Sequence, residues 1–163
     1  MHMERFHSDS GQIIIESMIA ITVVTVGLLG MFALLSRSLS LTRIVADQYV
    51  GANLASEGIE LVKNIVDRNT IQFRPWNENA SPGDYEIDYN DASLSAYSGR
   101  PLSIDTDGKY GYDAGKSTPF VRHITISWPS PDEIKVASRV DWTTRGGATF
   151  DAAAEDYFYN WRK

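Results

Sequence analysis

An apolar run of 23 residues, from Ile13 to Leu35, constrains this chain more than any other feature of its sequence. At about 1.5 Å per residue, a helix of that length crosses a hydrocarbon core of roughly 30 Å. The run contains a single ionisable side chain, that of Glu16. Because a carboxylate in an apolar medium is costly, we expect Glu16 to have a partner or a function.

The remainder of the chain has the composition of one small domain. The 163 residues include 15 basic and 21 acidic side chains, which give a net charge of -6. This acidic balance argues against a nucleic-acid partner, since no basic cluster is present to replace phosphate counterions. Cysteine is absent, which excludes disulfides and a cysteine-built zinc site. A domain of this kind must be held together by its apolar core.

An apolar stripe extends the predicted helix well beyond the membrane-length run. Between Leu41 and Arg68 there is no proline, and apolar residues recur at three- and four-residue spacing. They are Leu41, Ile44, Val45, Ala52, Ala55, Ile59, Val62 and Val66. Gly51 and Gly58 each cost about 1 kcal/mol of helix propensity, so we expect the helix backbone to approach a neighbouring element closely there. The predicted helix, Ile13 to Arg68, is about 80 Å long.

The chain after residue 68 alternates short apolar–polar runs with turn residues, a pattern typical of an antiparallel sheet. Residues 69–84 contain two prolines and several turn formers and are predicted to form a loop. Strands are predicted at 85–89, on both sides of a D-G turn within 102–112, and in a hairpin of 120–128 and 133–142 that turns at 129–131. Residues 148–161 suit a helix by their alanines and a strand by their position, and the strand is preferred. The predicted fold is α+β, with the second half of the helix covering the sheet.

Three stretches of the sequence resemble type IV pilins and pseudopilins. In that family a short polar leader ends in glycine, and a glutamate is the fifth residue of the mature apolar helix. Here Gly11 and Glu16 stand in that register, with Gln12 as the first mature residue. The segments "ANLASEGIELVKNIVDRN" (52–69) and "VDWTTRGG" (140–147), together with a terminal "NWR", are similar to minor pilins of the pilin-modification type.

The resemblance implies a domain organisation and a life cycle. Residues 1–11 would be a prepilin leader, 12–36 a transmembrane and assembly helix, 37–68 its amphipathic continuation and 69–163 the β-sheet domain. A prepilin peptidase would cleave after Gly11 and methylate the new N-terminal amine of Gln12. The bacterial subunit would span the cytoplasmic membrane once, in contact with membrane lipid. The pilus assembly machinery would then join it to other pilin subunits in an extracellular pilus (fimbrium) or a secretion pseudopilus.

Within that scheme Glu16 would act in assembly. A buried amine and a buried carboxylate each cost several kcal/mol when unpaired. Placing the Gln12 amine of one subunit beside Glu16 of its neighbour would reduce both costs and set the axial register. Gly27 and Gly30 would be the weak points that give the helix flexibility. The alternative is a single-pass anchored exterior binding domain that does not polymerise, for which Glu16 is a tolerated polar residue.

Other candidate sites favour structural interpretations. The acidic loop with Asp105, Asp107 and Asp113 lacks the full calcium-loop spacing, so a hairpin turn is preferred and no metal is expected, with calcium as the alternative. His123 has no nearby His or Cys in its strand and is predicted to be structural. Thr22 and Thr25 are expected to bond back to the helix backbone.

No enzymatic activity and no cofactor are expected. The sequence has no G-x-S-x-G motif and no base placed to activate a serine. The tryptophans at positions 128, 142 and 161 are predicted to lie in the core or on a sheet face; a surface aromatic patch that binds a ligand is the alternative.

Overall fold

The computed structural model describes residues 9–113 and 115–161. Along this part of the chain one helix, α1 (Asp9–Ile71), precedes eight strands. The strands are β1 (Gly83–Glu86), β2 (Ser95–Ala96), β3 (Ser103–Ile104), β4 (Tyr110–Gly111), β5 (Lys116–Ser117), β6 (Val121–Ser130), β7 (Glu133–Thr143) and β8 (Thr149–Tyr159). The chain divides into two compact units, Met1–Ile44 and Val45–Lys163.

The first unit consists, in its described part, of the N-terminal portion of α1. Its side chains from residue 11 to residue 43 are exposed, and the helix is long and apolar enough to cross a membrane by length and composition. Thr22 and Thr25 donate their hydroxyl hydrogens to the carbonyls of Met18 and Ile21, each at 2.7 Å. This bonding satisfies both hydroxyls within the helix, as predicted from the sequence.

The second unit packs the remainder of α1 on an antiparallel sheet, which confirms the predicted α+β fold. The main sheet has the strand order β2-β1-β6-β7-β8, and a smaller one has the order β4-β3-β5. The long hairpin of β6 and β7 was predicted, but its turn was predicted at 129–131 and lies instead between Ser130 and Glu133. The pairing of β6 with β7 shifts register between Ser127 and Ser130, which extends β6 past the predicted end. Pro129 lies in this irregular part of β6, where a missing N–H is tolerated.

The other strand predictions are confirmed with shifted ends. Residues 148–161 form β8, and 102–112 form β3 and β4 around Gly108, whose φ of 81° suits glycine. The strand predicted at 85–89 begins earlier and ends at Glu86. It ends there because the chain turns, with the Asp88 N–H donating to the Asp91 carboxylate at 2.9 Å.

The core lies between one stripe of α1 and the inner face of the sheet. The buried helix residues are Leu54, Ala55, Ile59, Val62, Ile65 and Val66, and the buried sheet residues include Ile124, Ile126, Ile134, Val136, Val140 and Trp142. The stripe was predicted to begin at Leu41, but Leu41, Val45 and Ala52 are exposed. Full burial along α1 begins at Gly51, where the helix meets Trp142.

Two glycines let the helix backbone approach β7. A Cβ on Gly51 would lie 2.5 Å from Cζ3 of Trp142. A Cβ on Gly58 would overlap the Ser138 hydroxyl and lie 3.2 Å from Cδ of Arg122. The close approach inferred from these glycines is therefore confirmed.

Candidate functional site

The predicted processing and assembly residues all lie on the first part of α1. Gly11, Gln12 and Glu16 are helical and exposed; the first eight residues of the predicted leader lie outside the described residues. The helix continues without a break through Gly27 and Gly30. A Cβ on any of these three glycines would meet nothing within 4 Å. Packing among the described residues therefore does not require glycine at these positions, although each lowers helix propensity by about 1 kcal/mol.

Glu16 is the one ionisable group in the apolar part of this helix. It follows Gln12 by four residues, so the two side chains lie on the same face one turn apart. The neighbouring Ser17 hydroxyl is satisfied by the Ile13 carbonyl at 2.8 Å. The ion pairs among the described residues all involve residue 57 or later positions, and none includes Glu16.

A second charge lies inside the helix–sheet interface of the other unit. Arg122 of β6 is fully buried, and its Nη1 lies 3.3 Å from the carboxylate of Glu57 on α1. Its Nη2 donates to the Ile87 carbonyl at 2.7 Å, and Nη1 also reaches the Leu54 carbonyl at 3.4 Å. Burial raises the pKa of Glu57, and the adjacent guanidinium of Arg122 partly offsets that rise.

Sequence reasoning did not identify this ion pair, although a signal was present. Arg122 shares its alternating strand face with Ile124 and Ile126, both of which are buried. A charged residue on a buried strand face requires a partner. The ion pair between Arg122 and Glu57 therefore connects the helix to the sheet.

The acidic loop is organised by its own backbone. The Asp105 carboxylate accepts the Asp107 N–H at 2.8 Å and the Lys109 N–H at 2.9 Å, which closes the turn between β3 and β4. The buried Asp88 carboxylate beside it accepts the backbone N–H of Tyr112 at 2.9 Å. Asp113 lines a small hollow of about 40 Å³ together with Asp88, Asp105 and Lys109. No group of three or more His, Cys, Asp or Glu side chains in the described ranges is placed to hold a metal ion. The geometry of the loop is that of the predicted hairpin turn.

His123 belongs to an exposed polar cluster on the outer face of the main sheet. Its Nε2 lies 2.9 Å from the Asp84 carboxylate, and its ring stacks on Tyr97 with centroids 4.2 Å apart. Thr125 donates to the same carboxylate oxygen at 2.8 Å. The hydrogen bonds from Thr125 and His123 lower the pKa of Asp84. These contacts join β1, β6 and the segment after β2, in keeping with a structural role.

The three tryptophans predicted to be structural differ in exposure. Trp142 is buried in the core, and Trp128 is half-exposed with its indole N–H donating to the Ala80 carbonyl at 2.9 Å. Trp161 is 74% exposed and lines a groove of about 370 Å³ beside the end of β8. An exposed aromatic groove is therefore present at the C-terminal end of the described chain.

The described chain combines a long apolar N-terminal helix with an antiparallel sheet packed on part of that helix, which is a pilin-like architecture. Comparisons with protein-family models, curated proteins and solved structures found no match to this chain.

Proposed function

We propose that this chain is a minor type IV pilin or pseudopilin, a structural subunit that assembles through its N-terminal helix. One observation carries the proposal. Glu16 is the only ionisable residue of an exposed apolar helix segment, and it has no ion-pair partner among the described residues. It also stands as the fifth residue after Gly11.

The missing partner would come from another copy or another pilin. Cleavage after Gly11 would give Gln12 a free amine in an apolar setting. Because an unpaired buried amine and an unpaired buried carboxylate are each costly, pairing them between subunits lowers the free energy of assembly. The pair also fixes the axial offset between neighbours, since it forms in only one register.

Gly11 fits recognition by a prepilin peptidase. No packing contact in the described structure requires a glycine there. A residue without a side chain lets the backbone adopt an extended conformation in a protease site. On this proposal Gly11 is selected for cleavage and Gln12 becomes the methylated N-terminal residue.

The intact mass of the chain tests processing. We would compare the protein from cell membranes and from sheared filaments with the mass calculated for the full sequence. Loss of residues 1–11, with or without an added methyl group, supports the proposal. A chain that keeps residues 1–11 in cells with an active prepilin peptidase contradicts it and favours an anchored domain that does not polymerise.

Substitution of Glu16 tests assembly. Glu16→Ala is expected to leave the amount of protein in the membrane unchanged and to remove the subunit from sheared filaments. Ser17→Ala is the matched control, because it removes a neighbouring polar side chain whose hydroxyl is satisfied within the helix. Equal incorporation of the two variants into filaments would argue against the assembly role of Glu16.

A further inference from the structure

The groove beside the end of β8 combines an apolar side with a row of polar side chains. Trp76 and Phe158 line it, and both also pack against the buried core between helix and sheet. The wall formed by α1 contributes Lys63, Asp67 and Thr70. Because these three side chains are spaced by four and three residues, they form one row of about 10 Å along the helix. A groove of about 370 Å³ with an aromatic and polar lining has the size and character of a small-molecule site.

The groove continues into a second hollow of about 330 Å³, which Phe73 lines. The Phe73 side chain is 94% exposed. The two hollows have three lining residues in common, which are Thr70, Trp76 and Asn160. The buried Asn69 holds the main chain around the shared tryptophan, since its side-chain amide donates to the carbonyls of Trp76 and Glu78 at 3.4 and 2.7 Å. The two hollows therefore form one elongated site with an aromatic residue in each part.

The polar lining of the groove offers mostly hydrogen-bond acceptors. The Thr70 hydroxyl donates to the Val66 carbonyl at 3.0 Å, so its oxygen lone pairs are what it offers to a ligand. The Asn160 side-chain amide donates to the Asp132 carboxylate at 3.3 Å and keeps its oxygen as an acceptor. Asp67 adds a carboxylate. A ligand that matches this lining must supply several donors.

The charges in the groove favour an uncharged ligand. Lys63 and Asp67 have opposite charges, and neither forms an ion pair with any of the described residues. Lys63 would repel a cationic ligand and Asp67 an anionic one, and the net charge of -6 further disfavours an anion. The donors of the ligand must therefore belong to neutral groups.

Main-chain groups of β8 beside the groove are not open to an added strand. The Tyr157 N–H donates to the Asp156 carboxylate at 2.8 Å, and the Tyr159 carbonyl accepts the Trp161 N–H at 3.0 Å. The Tyr157 ring is in contact with the Lys135 ammonium group, which lies 5.4 Å from the ring centroid. An extended polypeptide therefore finds no ladder partner at this point. Binding in the groove must use the side chains that line it.

We propose that the groove and the adjoining hollow bind an extended, uncharged oligosaccharide. A sugar ring has an apolar C–H face, which packs on an aromatic ring, and hydroxyl groups at its edge, which donate and accept hydrogen bonds. The C–H faces of sugar rings along the chain pack on Trp76 and Phe73. Their hydroxyl groups donate to the acceptors of the groove and accept from Lys63. This binding site is separate from the proposed role in assembly and does not depend on it.

Titration calorimetry with the full chain tests the class of ligand. The detergent must lack a sugar head group. The neutral probes are cellohexaose, maltohexaose and chitohexaose, and the charged probes are hexagalacturonic acid and spermine. At least one neutral hexasaccharide is expected to bind with a Kd of about 1 mM or lower, at least tenfold more tightly than either charged probe. Binding of none of the three, or equal or tighter binding of a charged probe, would overturn the proposal.

Variants of the helix wall show whether the sugar binds in the groove. Asp67→Ala and Lys63→Ala are each expected to weaken binding of the preferred hexasaccharide at least fivefold. Asp67→Asn keeps a side-chain carbonyl oxygen and is expected to lose less than Asp67→Ala. Asn64→Ala is the matched control, because Asn64 is an exposed polar residue of the same helix turn and does not line the groove. Equal affinities of Asp67→Ala and Asn64→Ala would overturn the proposal, since the sugar would then bind elsewhere.

A variant of Phe73 tests the extension into the second hollow. Phe73→Gly removes the exposed ring, and glycine suits the left-handed backbone at this position, where φ is 58°. This variant is expected to weaken hexasaccharide binding at least threefold. Ile71→Ala is the control, because it truncates another exposed apolar side chain that lines neither hollow. Unchanged hexasaccharide binding in Phe73→Gly would contradict an elongated site.

Discussion

Removal of the carboxylate that pairs with Arg122 is expected to destabilise the second unit strongly. In Glu57→Gln the guanidinium keeps its bonds to the carbonyls of Ile87 and Leu54 but loses its counter-charge. At the observed 3.3 Å, Coulomb's law with an effective dielectric constant of about 20 gives an attraction of about 5 kcal/mol. The desolvation that raises the pKa of Glu57 opposes this attraction, and solvent screening weakens it because the side chain is 34% exposed. Together they reduce the expected loss of unfolding free energy to about 2 kcal/mol.

The assay is urea unfolding of the full chain in detergent, followed by tryptophan fluorescence. Trp142 packs in the same interface and reports its loss. Glu60→Gln is the matched control, because it removes the same charge from an exposed position one helical turn later. The control is expected to change the unfolding free energy by less than 0.5 kcal/mol, roughly the limit for surface positions.

A double-mutant cycle with Arg122→Met isolates the pair. Removing both charges eliminates the uncompensated buried guanidinium, so the double variant is expected to be more stable than the sum of the single losses predicts, by roughly 1–3 kcal/mol. A Glu57→Gln loss no larger than that of Glu60→Gln, or single losses that simply add, would refute the view that this pair locks the helix to the sheet.

Three further outcomes follow from local geometry. Gly58→Ala is expected to destabilise the fold by roughly 1–3 kcal/mol in urea unfolding because its methyl group overlaps β7, whereas Gly30→Ala, with open space around it, is expected to cause no loss. Hydrogen bonds from Thr125 and His123 lower the pKa of Asp84. The stability that these bonds provide is present above the unfolded pKa of about 4 and is lost as the pH falls through the lower folded pKa. The urea midpoints at pH 6 and pH 3 should therefore differ less in Asp84→Asn than in the native chain. Phe73→Gly is expected to raise the unfolding free energy by about 1 kcal/mol because it relieves a left-handed backbone conformation, and a loss of stability would contradict that reasoning.

The long elements could be predicted from the sequence because their patterns repeat many times. The apolar run and the helical spacing after it predicted one helix, and alternation over about ten residues predicted β6 and β7. Strand β8 was predicted from its position after a hairpin, with a helix as the alternative. Gly51 and Gly58 were informative because an exposed helix would not favour them, and the structure places both against β7. Where several turns or alternations agree, local pattern and tertiary packing point to the same structure.

The short elements could not be predicted in the same way. Strands β2, β4 and β5 have two residues each, which is too short for an apolar–polar alternation to be detected. Their positions depend on contacts between distant segments, such as the bonds that the Glu86 carboxylate accepts from Ser98 and Arg100 at 2.9 and 2.7 Å. The apolar stripe of α1 was predicted to begin at Leu41, before the sheet covers the helix. Periodicity shows which helix face is apolar but not where along the helix the sheet begins to cover that face.

Arg122 and Glu16 show why a charge within an apolar pattern cannot be interpreted from sequence alone. Each interrupts a run of apolar positions, and each therefore requires compensation. The structure supplies it for Arg122 from Glu57 and two main-chain carbonyls, so the charge is explained within the chain. For Glu16 the described residues supply no ion-pair partner, and its helix segment is exposed. On the pilin proposal, the compensation for Glu16 is the amine of a neighbouring subunit.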